Sequence, residues 1–341
     1  MTRTTPPRPL DVEAVFPELA AYRGTTTRLH PRPGAPTVAD SSVGGPLLWP
    51  TGEAWPVCTE PHDRGTGYRT RDVRRARRGD GGSLGPQDRR RLLDLPDDHP
   101  VPMIALAQLY RRDVPDLRPG PDGADLLQLF ACPFDAHGRS GHGTKVHVHW
   151  RHSAEAAGAE VADPQPEPEV VGFDGYVPEP CVLHPEQVVT YPFAGCLPEE
   201  LCERLDAWED EREEEAEEQT VEQPWTDRGP DGDHGDETPD IPRYQYDLSV
   251  PPGWRAGGYA SWHTTDPYPM DCQVCATPME LLLTVDSGEW DGTVSWRPVE
   301  DAGLPPHPHA SPTQVVFGRW GELNVFACPG DPGHPHRWSI Q

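Results

Sequence analysis

The chain has 341 residues, a formal net charge of −27, 35 % apolar residues, 44 Pro and 33 Gly. That length is ample for a buried core and allows two or three domains or one large duplicated one, while the high Pro and Gly content predicts ordered islands joined by polar connectors. The acidic balance argues against nucleic acid and anionic membranes and for a basic protein or peptide partner. No run approaches the roughly 20 apolar residues of a membrane-spanning helix, and the opening MTRTTPPRPL has no apolar signal-peptide core, so the expected compartment is the cytoplasm.

Residues 11–22 place Val15, Phe16, Leu19 and Tyr22 on one helical face, with Pro17 kinking the helix or starting a second turn. A first unit, 40–152, then opens with Gly44-Gly45 and Trp49 and runs through Cys58 into strand-length apolar runs at 102–110 and 126–131. It carries an insertion, 64–97. From Arg64 to Arg91 this holds ten Arg against three Asp and almost nothing apolar, which predicts a mobile loop. Such a loop is either a solvated tether or an arm for RNA or phosphate, and the acidity of the rest favours the tether.

Residues 153–196 read as an irregular connector packed by Phe173, Tyr176, Val182, Val188 and Tyr191. The stretch 197–249 reads as a helix followed by an acidic low-complexity linker. Pro198 suits the first helical position, Glu199 and Glu200 the first turn, and Leu197, Leu201, Leu205 and Trp208 form the apolar stripe. Beyond Trp208 the stripe is lost, and Glu199 to Asp240 holds 19 acids against 3 Arg, so this run is expected to melt into a linker.

The last unit, 250–341, repeats the landmarks of the first in the same order. Gly257-Gly258 and Trp262 precede Cys272 and Cys275, PMELLLTV echoes PMIALAQL, and a second FACP ends the final apolar run. Further candidate strands lie at 293–296 and 313–317. The expected fold is mainly β (α+β), an internally duplicated β-rich domain with a few peripheral helices, its two copies packed as one body.

Eight cysteines in a reducing compartment read as metal ligands or small buried hydrophobes. Cys272-x-x-Cys275, Cys328 and one of His334 or His336 supply four soft donors, the set a structural zinc requires. By position the first unit offers a second set, Cys58 with His62 and Cys132 with His137 or His142; its other reading is a pair of cysteines packed as hydrophobes. His147 and His149 share a strand face and are either additional ligands or an exposed edge. Cys181, Cys196 and Cys202 have no matched partners.

No catalytic template is present: no H-E-x-x-H, no G-x-S-x-G in register, no P-loop and no Gly-rich dinucleotide turn. A site closed by four protein ligands is structural, whereas a catalytic zinc keeps a position open. Two classes of function follow: a non-catalytic binding protein that shields a basic partner, chaperone-like or immunity-type, or a metal-dependent enzyme using the Cys/His cluster of the first unit.

The segments VGGPLLWPTGEAWPVC, MIALAQLYRRDVPDL, DLLQLFACPFD, GWRAGGYASWHTTDPYPMDCQVCATPMELLLTV and GELNVFACPGDPGHPH resemble the bacterial YwqG-like family, a domain of unknown function. The final unit is also distantly similar to the carboxy-terminal domain of the programmed cell death protein 2 family, through Gly257, Gly258, Cys272, Cys275 and Cys328. The resemblance implies a duplicated β-rich fold, a role near toxin and immunity systems for some bacterial members, and ribosomal-protein chaperoning for the eukaryotic relatives. It brings no catalytic residues.

Overall fold

A computed structural model describes residues 2–62, 66–80, 84–91, 100–135, 137, 143–221, 241–290, 295–305 and 310–341. The strands in chain order are β1 (Gly24–Arg28), β2 (Arg32–Pro33), β3 (Ser42–Val43), β4 (Val57–Cys58), β5 (Thr66–Arg69), β6 (Arg90–Arg91), β7 (Val101–Pro102), β8 (Ile104–Tyr110) and β9 (Leu126–Ala131). They continue as β10 (Val146–Arg151), β11 (Val170–Val171), β12 (Cys181–Val182), β13 (Glu186–Thr190), β14 (Arg255–Ala256), β15 (Glu280–Asp286), β16 (Glu322–Ala327) and β17 (Arg337–Ile340). The α-helices are α1 (Val12–Val15), α2 (Thr70–Arg77), α3 (Ser153–Ala156) and α4 (Glu199–Val221). The fold is mainly β with peripheral helices.

Two six-stranded sheets dominate, in the orders β10-β9-β8-β3-β12-β2 and β17-β16-β15-β14-β1-β13. They match pairing by pairing. Ser42 and Val43 face Gln108 and Ala107 in one, and Arg255 and Ala256 face Thr284 and Leu283 in the other. Each central hairpin breaks register at the same place, between Ala105 and Ala107 and between Leu281 and Leu283. The bulged carbonyl is used alike: Leu106 O accepts from Gly44 N at 2.8 Å, and Leu282 O from Gly257 N at 3.2 Å.

Those glycines are required by conformation and by space. Gly44 (φ 62°) and Gly257 (φ 67°) are left-handed, and a Cβ on either would lie 2.9 Å from Pro178 Cβ or Asp116 Cβ respectively. Only glycine admits both the turn and the close neighbour.

Strands are also exchanged between the two halves of the chain. β1, near the start, pairs with β14 in the second sheet, and β12, from the connector, pairs with β3 in the first. One apolar core takes Leu106, Leu109, Leu127 and Leu129 from the first sheet and Leu283, Val285, Leu323 and Val325 from the second. Alternation along β9 and β16 turns Phe130 and Phe326 to the opposite face, into two smaller cores containing Cys132 and Cys328. Burial on both faces explains why these strands read as largely apolar runs, interrupted by the buried Gln128 and Asn324.

Several segments depart from expectation. The part of 64–97 expected to be a mobile loop forms β5, α2 and β6 within the described residues. Order comes from backbone pairing rather than apolar area: β5 pairs with β11, Arg77 donates to Asp174 O at 2.8 Å, and α2 buries only Thr70 and Val73. The connector 153–196 is not merely irregular, since it supplies β11, β12 and β13. The acidic run stays helical to Val221 because the returning chain caps its side: Glu209 accepts from Tyr244 N and Glu213 from Arg243, both at 2.6 Å. Of the rest of the expected linker, residues 222–240 lie outside the described residues, whereas Tyr244–Ser249 is no linker but a helical turn whose Tyr244 and Leu248 are buried in the core beside α4.

At the amino terminus Pro17 starts a separate turn after α1, and Phe16 and Leu19 pack with Leu197, Leu201 and Leu205 of the helical region. The expected strand at 313–317 is instead irregular with a single bridge at Phe317; Val315 and Phe317 are buried without pairing in a ladder. Of 293–296, only Ser295 and Trp296 are described, and they form a turn.

Candidate metal centres

The second unit builds its site on a tight turn. Ala276 N donates to Cys272 O at 2.8 Å and Cys272 N to Thr277 O at 2.9 Å, with Ala276 left-handed at φ 56°. This folds Cys275 back beside Cys272. Cys328 follows directly after β16, and the loop beyond it returns His334. Cys275 Sγ lies 3.5 Å from Cys328 Sγ, and Cys272 Sγ lies 3.4 Å from His334 Nδ1. The other ring nitrogen of His334 faces the Asp331 carboxylate at 3.6 Å, an arrangement that orients an imidazole toward a metal. Hydrogen bonding by Thr277 lowers the Cys275 thiol to about 6, toward the thiolate a metal needs.

The first unit places its residues in corresponding positions. Val57 opposite Pro102 matches Asp271 opposite Pro278, so Cys58 stands where Cys272 does. His62 takes the place of Cys275, Cys132 that of Cys328, and His137 that of His334. His62 Nε2 lies 3.1 Å from Cys132 Sγ. His137 Nδ1–H donates to Gly143 O at 3.2 Å, which leaves Nε2 free to face the cluster.

All four residues of the first set are buried, whereas in the second set Cys275 is exposed and His334 half-buried. The hydrogen bond from Cys132 is the main force lowering Cys58, to about 4, and it correspondingly pushes Cys132 up. One thiol of the pair therefore ionises readily at the expense of its neighbour.

In each group the four ligand atoms lie within 4.8 Å of one another. In the first, His137 Nε2 is buried without a hydrogen-bond partner, a costly state for a polar atom unless something binds it. Either group could hold a metal ion. Two thiols and two imidazoles, or three thiols and one imidazole, suit a tetrahedral borderline-soft cation rather than an oxygen-seeking one.

His334, and not His336, joins the second cluster. His336 has an unpartnered Nε2 and is pushed down to about 4, chiefly by burial and then by the neighbouring His147. His147 and His149 belong to neither group: their rings pack tilted against Phe130 and Trp49 at centroid distances of 6.1 and 5.0 Å. His142 lies outside the described residues. Cys181 is buried with its thiol toward Pro312 O, Cys202 bonds Ala194 O at 2.9 Å, and Cys196 is exposed.

Asp331 and Gly143 escaped the sequence reading, although Asp331 stands only three residues before His334. A further polar group had no local signal at all. Fully buried Arg255 pairs with Glu322 at 3.4 Å, and His263 Nε2 lies 3.4 Å from the same carboxylate, which also accepts from Ser261 Oγ. Ser261 and His263 thus both bind Glu322 rather than each other, so the three form no nucleophile relay. No family model matches the chain, and no curated protein matches it.

Proposed function

We propose that this protein is a non-catalytic, zinc-stabilised binding protein for a basic protein or peptide, chaperone-like or immunity-type. The observation that carries the reading is the closure of the two Cys/His clusters. Each converges four donor atoms within 4.8 Å of one another, the first set wholly buried and the second built on buried Cys272 and Cys328 with Cys275 exposed, so a tetrahedral ion held by all four would keep no position for water or substrate. The net charge of −27 supports a basic partner. The likeness to the YwqG-like family and to the programmed cell death protein 2 relatives supports it as well, since that likeness carries no catalytic residues. An enzyme using Cys58, His62, Cys132 and His137 would need one of these four to leave the metal.

Metal analysis after gentle purification tests this directly. Two equivalents of zinc per chain are expected, with one lost in Cys132→Ser, one lost in His334→Ala and both kept in His336→Ala. Affinity capture of the full chain is expected to bring down one stoichiometric basic protein. A metal-free protein whose Cys132→Ser and His334→Ala variants melt like the parent would overturn the zinc reading, and a metal-loaded protein that turns over a small substrate would overturn the binding reading.

A further inference from the structure

A cavity of about 640 Å³ opens beside the second cluster, within the size range that takes a small ligand or a few peptide residues. Its walls are aromatic: Phe193, Tyr259, Trp262 and Tyr268. The rings are held in place before anything enters. Tyr259 Oη donates to Tyr22 O at 2.8 Å, Tyr268 Oη donates to Ser339 Oγ at 2.9 Å, and Trp262 meets Tyr268 edge to face at 4.9 Å and 71°. The floor, formed by Met270 and Phe326, belongs to the same apolar core as Cys272 and Cys328.

The charge in this cavity is unbalanced. Its charged residues are Asp116, Arg118 and Glu280, a net charge of −1 with two carboxylates against one guanidinium. Arg118 is already paired with Glu280. Asp116 accepts only from neutral donors: Thr25 Oγ1 at 2.6 Å and Gln187 Nε2 at 3.0 Å on Oδ1, and Thr27 Oγ1 at 2.7 Å on Oδ2. These fix the carboxylate and leave it without a counter-ion among the described residues. The left-handed Gly257 is what lets the Asp116 loop sit this close.

We propose that the cavity receives a cationic side chain, arginine or lysine, from a basic peptide segment. Its charge would face Asp116 while its alkyl stem and cationic head lie against the rings, a pairing in which aromatic faces and a carboxylate act in the same direction. An anion is repelled by Asp116, and a neutral apolar ligand would bury that carboxylate unpaired. The proposal rests on the reading of the protein as a binder of a basic partner and gives that partner its point of contact.

Isothermal titration of the full metal-loaded chain with hexa-arginine, and with hexa-glutamate as control, tests it. Saturable one-to-one binding of hexa-arginine alone is expected, weakened about tenfold or more in Asp116→Asn and in Tyr268→Ala. Tyr268 is 41 % exposed and belongs to neither set of metal ligands named above, so its truncation is expected to keep the metal content and a cooperative melt, at a somewhat lower temperature for the lost Ser339 hydrogen bond. Equal binding by the parent and both variants would place the cation elsewhere on the acidic surface and overturn the cavity while leaving the binding reading intact. A basic protein that co-purifies as well with both variants as with the parent would do the same. Absence of both hexa-arginine binding and a basic partner would overturn the cavity and the reading together.

Discussion

Asp286 is expected to make stability fall with rising pH near neutrality. It ends β15 directly opposite Glu322, and the buried guanidinium of Arg255, which pairs with Glu322, feels the charge of both carboxylates. Glu322 has Arg255, Ser261 and His263 for partners, whereas among the described residues Asp286 accepts the backbone N–H of Gly253 at 2.7 Å and of Gly288 at 2.9 Å and has no side-chain donor. Burial first, and the Glu322 charge second, therefore raise Asp286 from 3.8 to about 7. Its folded value lies above its unfolded one, so the stability it contributes is complete below about pH 4 and is lost as pH rises through about 7. Between about pH 6 and about pH 8 that loss integrates to about 1.4 kcal/mol.

Urea unfolding of the metal-loaded protein at those two pH values, for the parent and for Asp286→Asn, isolates Asp286 with the carboxylate cluster it belongs to, because titrations remote from that cluster are common to both proteins. Asparagine can accept only one of the two backbone hydrogen bonds, which offsets the variant by a constant and leaves the slope untouched. The parent is expected to lose about 1.4 kcal/mol more than the variant over the interval. Parallel profiles would refute the reasoning and mean that Asp286 is already ionised at the lower pH, with Arg255 neutralising both carboxylates.

Ala276→Gly is expected to stabilise the metal-loaded protein by about 0.5–1 kcal/mol, since Ala276 is held at φ 56° where a Cβ costs energy that glycine avoids, less the added freedom of the unfolded chain; chemical denaturation with metal content measured in parallel checks it. Residues 250–341 alone should fail to melt cooperatively, because β14 loses β1, its partner from the amino terminus, and the second sheet loses its share of the common core. A monomeric fragment with the full chain's melting temperature would contradict that interlock.

What the sequence determined by itself was the local chemistry. The turn at Cys272 and Cys275, the paired glycines and the apolar runs ending at Cys132 and Cys328 are short-range features, and strand period alone fixes which face each cysteine takes. Repetition of the landmarks then placed Cys58, His62 and His137 by position. Spacing could not choose between His334 and His336, two residues apart; the entry into β17 at Arg337 carries His336 toward His147 and leaves His334 beside Asp331. Composition misjudged the Arg-rich segment and the acidic helix because each is ordered by a few long-range bonds, to Val171 and Asp174 in one case and to Arg243 and Tyr244 in the other. Only the tertiary structure decided the exchange of β1 and β12 between sheets and the gathering of Asp116, Tyr259, Trp262 and Tyr268 around one cavity. Such contacts join residues far apart in the chain through backbone pairing and close glycine approaches, which leave no period or motif at either end.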